Sequence, residues 1–173
     1  CAACHQQRFG FTDPMRFSNG ISTAGTTDFH AMRLGNLRYW QPGSMFWDRR
    51  VPTAEAQASQ PLHSLVEMGW GEPAGGIEAL TRKMAASPYY PDLFAWAFGD
   101  AAITEPRIQQ ALAQFVRAMV SGHSRWDTGY AQVFSPAAPN RALGVDLPNF
   151  TAQENRGRHL FMTDVGSGGA GCA

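Results

Sequence analysis

Apolar positions recur at helical spacing in the second half of the chain and show no sustained period in much of the first. The clearest stripe is Ile108, Ala111, Leu112, Phe115, Val116, Met119 and Val120, an i, i+3, i+4, i+7 pattern. Thr104 is placed as its N-cap, Glu105 and Pro106 fall in its first turn, and Gly122 is its expected stop. Thr53 is placed to cap a short helix over Ala54–Ser59, with Glu55 in the first turn. Ile77, Leu80 and Met84 mark another helix bounded by Pro88, and Asp92–Phe98 a short aromatic one stopped by Gly99. Thr151 and Glu154 form a capping box opening a last helix that carries Leu160 and Phe161. Residues 6–45 and 123–148 lack either period and read as loop. No alternating strand pattern stands out, so the expected class is all-α with long ordered loops.

Composition narrows what such a chain does. Its 173 residues carry 14 basic and 14 acidic side chains, and Lys83 is the sole lysine. A protein that neutralises many phosphates needs a basic surplus, so a nucleic-acid partner is not expected. There is no long apolar run, so no membrane span is expected either. A loop region as long as 6–45 is usually functional or wrapped around something.

The first five residues, Cys1-Ala2-Ala3-Cys4-His5, suggest what that something is. A bare C-x-x-C serves redox or zinc chemistry, but a His directly after the second Cys is the signature of covalent c-type haem attachment. Two thiols one helical turn apart reach the two vinyl groups of one porphyrin, and the adjacent imidazole of His5 is then held beneath the iron as its proximal ligand. A large apolar macrocycle also gives loops a core to pack on. At the other end, Gly171-Cys172-Ala173 has the form of the opening of a second such motif, and the chain reads as a fragment of a longer protein.

Several stretches, in order, resemble the bacterial di-haem cytochrome c peroxidases, a family that includes MauG-like enzymes. They are Phe46-Trp47-Asp48-Arg49-Arg50, Glu55-Ala56-Gln57-Ala58, Pro61-Leu62 and Glu67-Met68-Gly69. Further on come Pro91-Asp92-Leu93-Phe94, Ala97-Phe98-Gly99-Asp100, Ser124-Arg125-Trp126-Asp127 and Phe150-Thr151-Ala152-Gln153-Glu154. The resemblance implies a cytochrome c-like haem domain over 1–148, reacting with peroxide, and the start of a second haem domain over 149–173. It implies two haems c in the full-length protein, with one complete site here at Cys1, Cys4 and His5 and a second opening at Cys172.

Residue by residue, it implies Glu67 as the distal glutamate, Gln57 as the distal glutamine, Pro61 as the proline of the same pocket and Trp47 as the tryptophan between the haems. The residue types suit those roles. Splitting a peroxide O–O bond heterolytically needs a proton moved from one oxygen to the other, which a carboxylate does. A neutral amide orients peroxide without adding charge. An indole bridges electron transfer.

The implied activity is reduction of hydrogen peroxide with electrons from a small cytochrome c or cupredoxin, in the periplasm, with a homodimer compatible with the family. Two alternatives stand beside it: a MauG-like oxidase acting on a partner protein, and an electron-transfer cytochrome without enzymatic activity. Many family members place a second axial His in the loop after the haem motif, yet Ser18–Gly25 has none, which favours an open iron. His30 is the only nearby candidate. It stands where the family often has an Asn associated with calcium, so calcium is only a candidate cofactor. His63, His123 and His159 are expected at the surface or in hydrogen bonds.

Overall fold

The computed structural model describes residues 1–21, 25–41 and 43–172. The expected all-α class is what it shows: six α-helices, short 3-10 turns and, among the described residues, no strand beyond isolated bridges. The chain forms two compact units, Cys1–Val120 and Ser121–Ala173. The division at 148/149 drawn from the family resemblance therefore falls inside the second unit.

In the first unit, α1 (Ala54–His63), α2 (Gly76–Ala85), α3 (Tyr90–Phe98) and α4 (Glu105–Ala118) come after a long run of loop. The Thr53 hydroxyl caps α1 by accepting from the Ala56 N–H, as expected, but the helix runs on past Ser59 through Pro61. Pro61 lies in the last turn, where it removes one main-chain hydrogen bond, and Leu62 directly after it is buried. Leu62 joins Phe94 and Ile108 in the core, with Met68, Ile77, Leu80, Met84 and Leu112 packed around them.

α1 and α4 are fastened by polar side chains four residues apart on α1. Arg117 grips Glu55 through both guanidinium nitrogens, Gln109 Nε2 donates to Ser59 Oγ at 2.7 Å, and His63 Nε2 lies 2.8 Å from Glu105 Oε1. The partners run 117, 109, 105 as α1 runs 55, 59, 63, so the helices are antiparallel. Spacing of 100° per residue puts Gln57 and Pro61 on the side of α1 turned away from that seam. The Arg117 guanidinium holds the Glu55 carboxyl below its usual range, mainly through their hydrogen bond.

Two expectations for α4 need correction. Thr104 has the extended backbone of an N-cap, yet its side chain makes no capping bond, and α4 ends at Ala118 with Met119 as C-cap rather than at Gly122. Phe115 and Val120 of the predicted stripe are exposed, because the buried face is narrower and centres on Ile108 and Ala113.

The second unit corrects the reading of 123–148 as loop. α5 occupies Arg125–Val133, opened by a complete capping box between Ser124 and Asp127. The Thr151–Glu154 box opens α6 (Ala152–Met162) as predicted. α6 then pins the preceding loop: the Asn155 side chain bonds both the N–H and the carbonyl of fully buried Leu147, and Arg158 donates to the carbonyls of Leu143 and Val145. Among the described residues no helix is long and apolar enough to cross a membrane.

Replacing Leu62 by Ala should lower the stability of the first unit by about 2–5 kcal/mol, the range for a buried leucine whose cavity does not collapse. Denaturant unfolding of the haem-loaded protein measures it. A loss well below 1 kcal/mol would mean that α1 is not anchored by its apolar face.

Candidate haem site

Cys1 to His5 form one tight turn, with the N–H groups of Cys4 and His5 both donating to the Cys1 carbonyl, at 3.1 and 2.8 Å. Cys1 and Cys4 carry free thiols. The chain then doubles back through a 3-10 turn at Gln7–Phe9, closed by Gly10 in the left-handed region at φ 69°. Gln6 pairs with Thr12 across the return. That return brings the Phe11 carbonyl 2.9 Å from His5 Nδ1. A carbonyl only accepts, so Nδ1 carries the proton and the Nε2 lone pair is left for a metal.

This arrangement fits a haem c. Thiols are free at the C-x-x-C spacing, and the imidazole is locked in the tautomer that ligates through Nε2, oriented by a backbone carbonyl as metal-bound histidines usually are. The first unit also keeps large apolar side chains in the open: Met15, Ile21, Phe29, Trp47 and Leu65. A macrocycle would give such side chains a surface to pack on.

Glu67 comes after α1 in a turn whose Ser64 carbonyl receives the N–H groups of Met68 and Gly69. The Ser64 hydroxyl accepts from the Glu67 N–H at 3.1 Å. The loop after the haem motif presses against this turn: the Ile21 N–H donates to the Val66 carbonyl at 3.1 Å. A Cβ on Gly20 would lie 2.7 Å from that same carbonyl, so no side chain fits there. Met68 carries the turn to the haem motif, its Sδ 3.8 Å from the Cys1 main-chain nitrogen. Burial pushes the Glu67 carboxyl above its usual range, while the charge of Arg50 pulls it back.

Trp47 sits on a loop closed by the pairing of Met45 with Val51. Phe46 and Arg49 flank it in the left-handed region, at φ 72° and 58°, which costs strain in residues other than glycine. Its indole is exposed, and Nε1 donates to the His30 carbonyl at 2.9 Å. Arg50, on the same loop, stacks 3.7 Å from the Phe46 ring centre and pairs with Asp48 at 2.8 Å. Gln57 and Pro61 are half-buried, one turn apart on α1, and the Gln57 amide makes no hydrogen bond to another described residue.

The structure thus joins Cys1, Cys4 and His5 in one turn and sets Met68, the residue after Glu67, against Cys1, while Arg50 shares the loop of Trp47 and acts on the Glu67 carboxyl by its charge. Cys172 belongs to the second unit, where its N–H donates to the Phe161 carbonyl at 3.1 Å. Ser22, Thr23 and Ala24 of the loop without histidine, and Ala173 of the last motif, lie outside the described residues.

Sequence reasoning passed over two residues. Arg50 was visible only as part of a motif. Asp13 lies in a polar stretch that reads as a turn, yet it is buried, its carboxylate accepting from the Met15 N–H at 2.8 Å and the Ser18 hydroxyl at 2.7 Å. His30, by contrast, is fully engaged. Its Nδ1 donates to the carbonyls of Met15 and Arg16, and its Nε2 lies 3.0 Å from Thr12 Oγ1.

A family model for di-haem cytochrome c peroxidase matches residues 1–133. The methylamine utilization protein MauG of Methylophilus methylotrophus is 32% identical over 149 residues, 80% of this chain and 40% of that protein. A cytochrome c551 peroxidase of Nitrosomonas europaea is 29% identical over 133 residues, 73% of this chain and 36% of that one. Among solved structures, a MauG-like protein associated with microbial copper homeostasis superposes with a TM-score of 0.69 at 29% identity, covering 95% of this chain and 43% of its own. The chain spans about two fifths of the length of the MauG relatives it matches. Members of the matched family carry covalent c-type haems and act as oxidoreductases, and with that match over most of its length this chain belongs to the di-haem cytochrome c peroxidases.

Proposed function

We propose that the chain is the peroxide-reacting part of a periplasmic di-haem peroxidase that reduces hydrogen peroxide to water. Each turnover takes one peroxide, two protons and two electrons to two waters, the electrons coming from a small c-type cytochrome or cupredoxin. In this reading residues 1–148 make up the first haem domain and 149–173 begin a second, with Cys172 opening its attachment motif. Thioether bonds from Cys1 and Cys4 would hold the porphyrin and His5 Nε2 the iron. A bound haem would supply the redox chemistry, an iron able to pass electrons to peroxide.

The observation that carries the reading is Glu67, a half-buried carboxyl on the turn whose next residue, Met68, lies 3.8 Å from the Cys1 nitrogen, and whose proton affinity burial raises. A carboxylate of raised pKa is suited to accept a proton from one peroxide oxygen and return it to the other near neutral pH. Gln57 offers an amide with no partner among the described residues, on the face of α1 turned away from α4, suited to hold peroxide by hydrogen bonds without adding charge. Trp47, oriented by the His30 carbonyl, is suited to carry electrons. Arg50 counters part of the burial cost on Glu67, so the acid is tuned rather than simply neutral.

The engagement of both His30 ring nitrogens favours a second reading beside it. A histidine so committed is not free to close the iron from the far side, and an enzyme needing no reductive opening suits a MauG-like oxidase acting on a partner protein's side chain. Turnover of the fully oxidised enzyme without prior reduction supports that reading, and a requirement for reduction removes it.

Glu67→Gln in the full-length, haem-loaded enzyme should lower peroxide turnover by about 10²- to 10⁴-fold, the usual weight of a positioned acid–base group. Soret intensity and covalent haem mass should not change. Unaltered turnover would take Glu67 out of the chemistry, and a protein without added porphyrin mass would remove the whole reading. Infrared difference titration against that variant should place the Glu67 carboxyl above the ordinary carboxylate range. Arg50→Gln should move it higher still, because an opposing positive charge is lost. A downward movement would show that Arg50 does not act on Glu67.

A further inference from the structure

Asp13 has no part in the chemistry set out for Glu67, Gln57 and Trp47, yet it is the buried carboxylate of the haem-side loop. It is 6% exposed and its partner Ser18 only 1%. Both carboxylate oxygens are occupied, one by the Met15 N–H and the other by the Ser18 hydroxyl. These donors hold the carboxyl below its usual range, so it keeps its negative charge at neutral pH. Its place in the chain matters as much as its charge. Phe11 supplies the carbonyl that orients the His5 ring, Thr12 pairs with Gln6, and Asp13 comes next.

We propose that Asp13 is a fixed buried charge that lowers the reduction potential of an iron held at His5, acting through space on the proximal imidazole and iron without touching either. The proposal rests on haem attachment at Cys1, Cys4 and His5. Losing an electron adds positive charge at the iron. A nearby anion in a medium of low dielectric stabilises that oxidised state more than the same anion in water would. An Asp merely shaping a turn would do its work at the surface. This one is enclosed, and its second donor comes from five residues further along the chain. It is a positioning and tuning residue rather than a catalytic one.

The test is an optical redox titration of the full-length, haem-loaded protein. Asp13→Asn keeps the shape and removes the charge, and its midpoint potential should move to more positive values at unchanged haem content. Ser18→Ala keeps the carboxylate and should stay near the wild-type potential. A wild-type potential in Asp13→Asn overturns the proposal, as does Ser18→Ala shifting as far as Asp13→Asn, which would make the effect one of packing. Should Asp13→Asn fail to hold haem, the swap of Asp13→Ser with Ser18→Asp returns a carboxylate to the same buried pair. A wild-type potential there supports the proposal and a raised one overturns it. A wild-type protein without covalent haem would instead fail the reading of the site, leaving the two outcomes distinct.

Discussion

The hydrogen bond from His5 Nδ1 to the Phe11 carbonyl is the constraint on which the first unit turns. An imidazole one residue from a cysteine pair would otherwise rotate freely and present either nitrogen. Fixing it requires the chain to reverse within six residues, and that demand accounts for the segment after the haem motif: a 3-10 turn, a left-handed Gly10 and the Gln6–Thr12 pairing. The reversal in turn delivers Asp13 and the carbonyls of Met15 and Arg16 to places where Ser18 and His30 complete them. A loop of this length stays ordered because its polar groups are answered by one another, not by a ladder.

The far side of the site is built by different means. Polar contacts to α4 and the burial of Leu62 set α1, and the turn at Ser64 then carries Met68, beside Glu67, back to the haem motif. The two constructions meet where the loop containing Gly20 lies against the Val66 carbonyl and where Met68 reaches Cys1. Glu67 is thus positioned from both directions, by the helix before it and by the loop that begins at the histidine's own turn. The relatives that match this chain include a cytochrome c551 peroxidase and MauG proteins.

Much of this was legible in the sequence where the signal is local. Thr53 and the Thr151–Glu154 pair act on their own first turns, and the structure shows both caps made. The cysteine–histidine motif is local as well. α5 was not legible because Gly129 and the Pro-rich stretch after it blur the period, although the Ser124–Asp127 box was there to be read. Gly129 is needed where it stands: an added Cβ would run into Asn149. Thr104 shows the opposite failure, a residue of the right type at the right place whose hydroxyl does not cap. Asp13 was illegible for a deeper reason. Its burial depends on Ser18 and on a loop path set by long-range pairing, and nothing in the local pattern distinguishes it from an exposed turn aspartate.

Pro61 has one more effect, on the backbone of α1. Having no N–H, it cannot donate to the main-chain oxygen of the residue four positions earlier, and that residue is Gln57. The helix therefore leaves the Gln57 carbonyl without that donor, beside an amide that makes no hydrogen bond to another described residue. Substituting any ordinary amino acid for the proline would supply the missing donor and extinguish that acceptor without altering one side chain around it. The polarity of this face is written partly in a ring that cannot give up a hydrogen.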